Sequence, residues 1–339
     1  SAASDVYKRQ FRYRLPGTTQ ILDGCSTYCM EQPQGHGFLI APFIPHSPMM
    51  FIPKEQECSA EKFRKAFVRN GDGVTFAFPV KSTEKEAHRS EIEEIIKLER
   101  TGELTKAVAA RCLVSDMRMD IDTMFQTLCQ GYPNAFVFLF TTPESGTWIG
   151  ATPELLLENK EGVMRTMALA GTRPAGTAGE WDMKNIREQG VVTDYIKSCF
   201  RRNDLDIRTD GPHTVQAGPV EHLRTEIKCL APDAIDVLSL IDDLAPTPAV
   251  CGMPRELAAD TIARCERFER GYYGGFCGPW TGTDRFSLYV ILRCARVTPD
   301  ALCLFAGGGI MPDSDPEAEW IETEAKLLSL IHISEPTRP

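Results

Sequence analysis

Long apolar runs are missing from this 339-residue chain, and no stretch approaches the ~20 residues of a membrane span. Basic runs are missing too. The formal net charge is −10, which argues against nucleic acid or an anionic membrane as the main partner. There is no repeat of fixed period, no low-complexity linker and no visible signal peptide. The 12 cysteines include no C-x-x-C pair. Most lie among apolar neighbours, as in YIKSCF, ILRCARV and ALCLF, the setting of reduced core thiols rather than zinc ligands or disulfides. A reducing cytoplasm is the expected location.

The two ends carry an unusual signal. Asp5 to Gln10 can be encoded GAT GTG TAT AAG AGA CAG, and the reverse complement of that DNA reads Leu-Ser-Leu-Ile-His-Ile, the sequence of Leu328 to Ile333. Residues 1–10 and 328–339 are therefore expected to be translated sequencing adaptor and are set aside from fold reasoning. Residues 11–327 are long enough to bury a sizeable core and are expected to form a single catalytic domain.

Runs rich in aromatic and β-branched residues predict strands at 73–80, 135–142, 287–297 and 301–307, the last two joined as an antiparallel hairpin by a Thr-Pro-Asp turn. Helical periodicity appears at 59–71, 90–104, 179–202, 233–244, 254–270 and 316–327. Helices and strands come in groups rather than in strict alternation, so the fold class is α+β. Segment 11–70, richer in proline and turn residues, reads as a peripheral layer.

Several stretches carry chemistry without deciding it. Gly307, Gly308 and Gly309 follow an apolar strand and precede a helix. They suit either a tight turn or a loop whose N–H groups approach an anion. Glu319, Glu322 and Lys326 share one helix face, as a solvated salt bridge or as a holder for a hard cation beside an anionic ligand. Glu188 is flanked by Lys184 and Arg187. Glu154 follows a proline at the start or edge of a strand. Lys106 is followed by small apolar residues that would bury an amine.

Taken in order, KAVAAR, GATPELLL, LAGTRPAG, KNIREQ, VEHLRTEI, PTPAVCGMP, RGYYGGFCG, ILRCARV, FAGGGI and EWIETEAK resemble the chorismate-utilising enzymes, and among them the isochorismate synthases. The resemblance runs through 104–327 and more weakly through 11–103. It implies large, mostly antiparallel sheets flanked by helices, with the site in a cleft. It also implies a Mg²⁺-dependent, reversible addition of water at C2 of chorismate with loss of the C4 hydroxyl, the product feeding menaquinone or a siderophore.

Carried over by residue, the resemblance makes Glu154 the general acid and Lys106 the base that activates water. Glu188 and Glu322 become magnesium ligands, with Glu319 contributing from behind them or through water. Arg293, Gly307 and Gly309 grip the enolpyruvyl carboxylate, and Lys326 the substrate's acid groups. Gly171 and Thr172 line the pocket, and His222 stands near the ring. Ala249 sits where ammonia-using relatives carry Thr, so water is the expected nucleophile and no glutamine amidotransferase partner is expected. Salicylate synthase, the ammonia-using anthranilate and aminodeoxychorismate synthases, and an inactive chorismate-binding module are the alternatives. The sequence departs from the family pattern at Ala245, where His is common, at Asn185 and Gln189, and at Gly308, which is expected to loosen the loop.

Overall fold

The computed structural model of the chain describes residues 9–59, 63, 75–79, 81–116, 120–217, 220–232 and 234–331, the last three without their side chains. Its centre is a pair of eight-stranded sheets. The first takes β1 (Arg9–Arg14), β2 (Ile21–Ser26), β5 (Lys106–Ser115), β6 (Phe136–Thr142), β7 (Gly146–Thr152), β12 (Gly252–Met253), β15 (Cys294–Val297) and β16 (Leu302–Ile310), in the order β12-β5-β16-β15-β7-β6-β1-β2. The second takes β3 (Gly37–Ala41), β4 (Met50–Pro53), β8 (Leu155–Lys160), β9 (Val163–Pro174), β10 (Arg208–Ala217), β11 (Val220–Leu230), β13 (Phe276–Gly282) and β14 (Arg285–Val290), in the order β10-β11-β9-β8-β14-β13-β3-β4. Neighbouring strands are antiparallel throughout, as in the register of β5 against β16. This is the α+β architecture expected.

Strand β6 shows why the sheets stack. Phe136, Phe138 and Phe140 alternate onto one face and join Phe11, Phe38, Trp148, Tyr289 and Phe305 in an aromatic layer between the sheets. The rings of Phe136 and Tyr289, one from each sheet, stack 4.1 Å apart. Val137 and Leu139 point the other way, against Met124 and Phe125 of helix α2 (Ile121–Gly131). With both faces covered, the strand reads as one apolar run.

Five further helices cover the outer faces: α1 (Lys85–Arg100), α3 (Met183–Arg202), α4 (Val237–Leu244), α5 (Arg255–Cys265) and α6 (Pro316–Ile331). Val192, Ile196 and Phe200 of α3 pack with Leu240 and Leu244 of α4 on the second sheet. Ile92 and Ile95 of α1 pack with Ile262 of α5 against Ala107 and Ala109 of β5. No helix is long and apolar enough to cross a membrane among the described residues.

The structure corrects several expectations. The run 287–297 is not one strand: it breaks at 291–293, where Arg293 takes φ 45°, and its halves join different sheets. The hairpin with 301–307 survives as β15–β16. The glycines 307–309 are not a loop but part of β16, paired in register with Ala110, Ala109 and Val108 of β5. Helix α5 stops at Cys265, because Glu266 turns extended (ψ 137°). Segment 11–53 is no separate layer; it supplies edge strands to both sheets. Of the strand expected at 73–80, residues 75–79 run without strand pairing. The rest of that stretch, and nearly all of the helix expected at 59–71, lie outside the described residues. At the ends, β1 begins at Arg9 and α6 runs to Ile331, so both elements continue into the stretches read as adaptor.

Phe138 is fully buried between the sheets. We predict that Phe138→Ala lowers unfolding stability by about 3–5 kcal/mol, measured by urea denaturation. A loss below about 1 kcal/mol would mean that the aromatic layer is not the main core.

Candidate active site

Of the six connections that pass from one sheet to the other, two lie at neighbouring points. Between β7 and β8 it crosses through Pro153 and Glu154, and between β14 and β15 through Leu292 and Arg293. The crossings are stitched together: Val290 N–H donates to the Glu154 carbonyl (3.0 Å) and Ala151 N–H to the Arg293 carbonyl (3.1 Å). Sheet change therefore places one acid and one guanidinium at the same end of the inter-sheet space. They line a cavity of about 90 Å³.

The same cavity is lined by Gly171, Thr172, Glu188 and His222, and by Ala249, Gly307, Gly309 and Lys326. Ten of the thirteen expected site residues thus meet there. Lys106 and Glu322 stand one contact behind the wall, and Glu319 lies farther back. Lys106 Nζ lies 2.9 Å from Glu188 Oε1. Glu322 Oε1 accepts from Lys326 Nζ at 2.7 Å, and the same ammonium donates to the Gly307 carbonyl at 2.8 Å. Glu319 Oε1 accepts from Lys184 Nζ and from Ser314 Oγ.

Each glycine of the triple makes room for a different group. A Cβ on Gly309 would stand 2.0 Å from Glu188 Oε1 and 2.9 Å from Lys106 Cε. On Gly307 it would meet the Tyr273 hydroxyl at 2.8 Å. Gly308 points to the opposite face of the strand, where a Cβ would meet Glu319 Oε2 at 2.9 Å. The glycines are required for space rather than for backbone dihedrals, since none takes a positive φ. Gly308, expected to loosen a loop, instead admits α6 close to a regular strand.

Burial sets the protonation states. The Glu154 carboxyl is pushed up to about 8 by desolvation, against the opposing pull of Lys106. Its Oε1 has no hydrogen-bond partner. Burial, with Lys326 and Arg293 adding to it, holds His222 down to about 3, so the imidazole stays neutral. Its partners assign the tautomer: Nδ1–H donates to the Gly171 carbonyl (3.1 Å), and Nε2 accepts from Arg293 Nη2 (3.3 Å). Glu319 is raised by burial and by Glu322, against Lys184.

The donors available to a cation are carboxylate oxygens, which suit a hard ion such as Mg²⁺. Among the described residues no group of three acid, histidine or cysteine side chains is placed to hold a metal. Mg²⁺ commonly takes only one or two protein carboxylates, completing its shell with waters and ligand oxygens. Glu188 and Glu322 are carboxylates of that kind, and the buried Glu319 Oε2 has no partner.

The sequence profile of the family described as "Chorismate binding enzyme" matches residues 54–334. The chain belongs to the chorismate-binding enzymes. Curated relatives include the vibriobactin-specific isochorismate synthase of Vibrio cholerae, 28% identical over 87% of this chain and 78% of that protein. Another is isochorismate synthase MenF of Escherichia coli K12, 33% identical over 70% of this chain and 58% of that protein. The solved structure of MenF, the menaquinone-specific isochorismate synthase from E. coli, shares the fold with a TM-score of 0.78 at 24% identity, covering 96% of this chain and 89% of that one.

The departures from the chorismate-binding pattern are integrated into the site. Asn185 Oδ1 accepts the Thr172 N–H (2.9 Å) and fixes the irregular stretch of β9 opposite His222. Gln189 Nε2 donates to the Ala168 carbonyl (3.1 Å) beneath it. Ala245 ends helix α4, half-buried in the core. Sequence reasoning missed Tyr273 and Lys184 as site residues. The first sits in the quoted RGYYGGFCG, and the second lies one helical turn before Glu188, where i,i+4 spacing offered the signal.

The nearest atoms that a methyl at position 309 would meet belong to two side chains, Glu188 and Lys106, rather than to backbone. We predict that Gly309→Ala folds with little change in melting temperature but loses at least tenfold in chorismate affinity, read as the chorismate-dependent rise in melting temperature. An undiminished rise would show that the glycine is not needed for space.

Proposed function

We propose that the chain is an isochorismate synthase, converting chorismate reversibly to isochorismate. The observation that carries this reading is a buried carboxyl with an unpartnered oxygen, Glu154, facing a cavity that shares Glu188 with the buried amine of Lys106. Replacing the C4 hydroxyl by water at C2 needs a proton for a poor leaving group and a base for a weak nucleophile. Glu154 gives its proton to the departing C4 oxygen as the C4–O bond breaks. Lys106, once it has given up the proton that pairs it with Glu188, takes a proton from the water whose oxygen bonds to C2. Water enters and water leaves, so the reaction is an isomerisation.

Arg293 and Lys326, both lining the cavity, supply cations to the substrate carboxylates. Arg293 is held for this by its bonds to the Ala217 carbonyl and to neutral His222. Mg²⁺ held by Glu188 and Glu322 would neutralise the ring carboxylate. Glu319 supports it from behind. Ala249 leaves its part of the wall without a hydroxyl, which favours water over ammonia as the entering group. No amidotransferase partner is needed by this chemistry, and the product would feed menaquinone or siderophore synthesis.

The direct test incubates the full chain with chorismate and Mg²⁺, with and without ammonium, and separates the products. An isochorismate peak is expected, abolished by chelator and by Glu322→Gln. Salicylate with pyruvate would move the assignment to a salicylate synthase. An amino product formed only with ammonium would move it to the anthranilate side of the family. Folded protein without turnover would leave an inactive binding module.

The acid role fixes a pH dependence. Glu154 is lifted from the ordinary 4.5 to about 8, so the proton it donates is present below that value and lost as pH rises through it. We predict that kcat falls along an alkaline limb near pH 8 and that Glu154→Gln lowers kcat by about 10²–10⁴-fold. A wild-type rate that stays flat from pH 7 to 10 would remove Glu154 from the acid role.

A further inference from the structure

Strand β5 has β16 on one side. On the other it has only the two residues of β12, opposite Lys106 and Ala107. Past that point the outer edge of β5 has no strand beside it among the described residues, yet its backbone groups are buried and have to be paired. One backbone carbonyl and then three side chains replace the missing strand. Val108 N–H reaches the Cys251 carbonyl (2.8 Å), and the Val108 carbonyl accepts from Arg270 Nη2 (2.7 Å). Ala110 N–H is taken by Glu266 Oε1 (3.0 Å) and Cys112 N–H by Thr83 Oγ1 (3.0 Å).

Arg270 does more than finish the ladder. Its Nη1 donates to the Val250 carbonyl (2.7 Å), in the turn that carries Ala249. Glu266 clamps the guanidinium through Nε at 3.0 and 2.8 Å, and both side chains are essentially sealed from water, at 2% and 1% exposure. Phe43 lies under the guanidinium, 4.4 Å from ring centroid to carbon. Val108, Ala249, Val250 and Tyr273 all line the catalytic cavity, and Lys106 is two residues upstream of Val108. A buried ion pair is a weak source of net stability, because desolvation offsets its attraction. What this pair supplies is geometry: one rigid fork fixes two backbone carbonyls from separate walls.

We propose that Arg270, held by Glu266, is a positioning residue that sets the strand bearing Lys106 against the turn bearing Ala249. This rests on the isochorismate synthase reading above. The substrate's carboxylates are held elsewhere, by Arg293 and Lys326, so loss of the fork should misalign base and water while leaving binding intact.

The test compares wild type with Arg270→Lys, which keeps the charge and loses the planar fork, and with Glu266→Gln, which keeps the shape and loses the clamp. Two readouts are taken on the full chain: amide hydrogen exchange at Val108 and 249–251, and steady-state kinetics with chorismate and Mg²⁺. Exchange at those amides should quicken at least tenfold, while strand β6 stays protected. In the kinetics kcat should fall at least tenfold, with KM changed by less than threefold. Unchanged exchange at those amides overturns the clamp. Quickened exchange with unchanged kcat overturns the positioning role, as does a rise in KM equal to the fall in kcat. If wild type consumes no chorismate, the functional reading fails by itself, and the exchange arm still decides whether Arg270 holds the two walls.

Discussion

Glu188 and Lys106 meet, 2.9 Å apart, in a space that exists because Gly309 has no side chain. Much of the site follows from that absence. A strand carrying three glycines has little to pack with, so its neighbour must be small and close. β5 offers Ala107, Val108, Ala109 and Ala110 at the paired positions. The gap on one face admits Glu188 and the lysine. The gap on the other admits the acids of α6, which a residue with a Cβ at 308 would push away. Carboxylates crowded this way need compensation, since unpaired buried charge is expensive. Three amines provide it, with Lys106 on Glu188, Lys184 on Glu319 and Lys326 on Glu322. Glu154 has no such partner within hydrogen-bonding distance and remains neutral by keeping its proton. The acid that can donate is the one left unpaired.

Reactive groups sit where regular pairing has to stop. A strand leaving one sheet for the other exposes backbone and turns side chains toward the gap between the layers. Glu154 and Arg293 occupy two neighbouring crossings, and Arg293 does so in a left-handed conformation that costs free energy for a non-glycine residue. Its guanidinium then bonds the Ala217 carbonyl and His222, so the β10–β11 hairpin holds it in place. The aromatic layer beneath keeps both crossings at fixed separation.

The fold was legible wherever one residue pattern answered to one environment. Phe136, Phe138 and Phe140 alternate, the hairpin at Thr298–Ala301 carries its turn residues, and the face shared by Glu319, Glu322 and Lys326 is a matter of helical spacing. Legibility failed where a long-range contact overrode a local preference. Nothing between Ser287 and Val297 marks Val290 as the end of a strand in one sheet and Cys294 as the start of one in the other. The glycines read as a loop because local propensity disfavours them in strands, while the alanines of β5 that make the pairing possible lie some two hundred residues earlier. The site residues were placed by family resemblance more than by spacing. Tyr273, which touches the cavity, had no periodicity to reveal it, and Arg270 was hidden in a helical pattern that the structure ends at Cys265.

The helix read through 254–270 shows what such an override accomplishes. Glu266 and Arg270 stand at i and i+4, which on a helix surface makes a solvated pair worth a few tenths of a kcal/mol. Here the helix ends at Cys265, and the same two side chains enter the protein to serve as the missing strand for β5. In that role each hydrogen bond replaces one the backbone cannot make for itself, and the cost of losing it is that of a buried unsatisfied group rather than of a surface salt bridge. Since the strand being completed is the one that begins with Lys106, the edge that most needs pairing is also the edge that carries the proposed base. Stability and alignment at this wall are one set of hydrogen bonds.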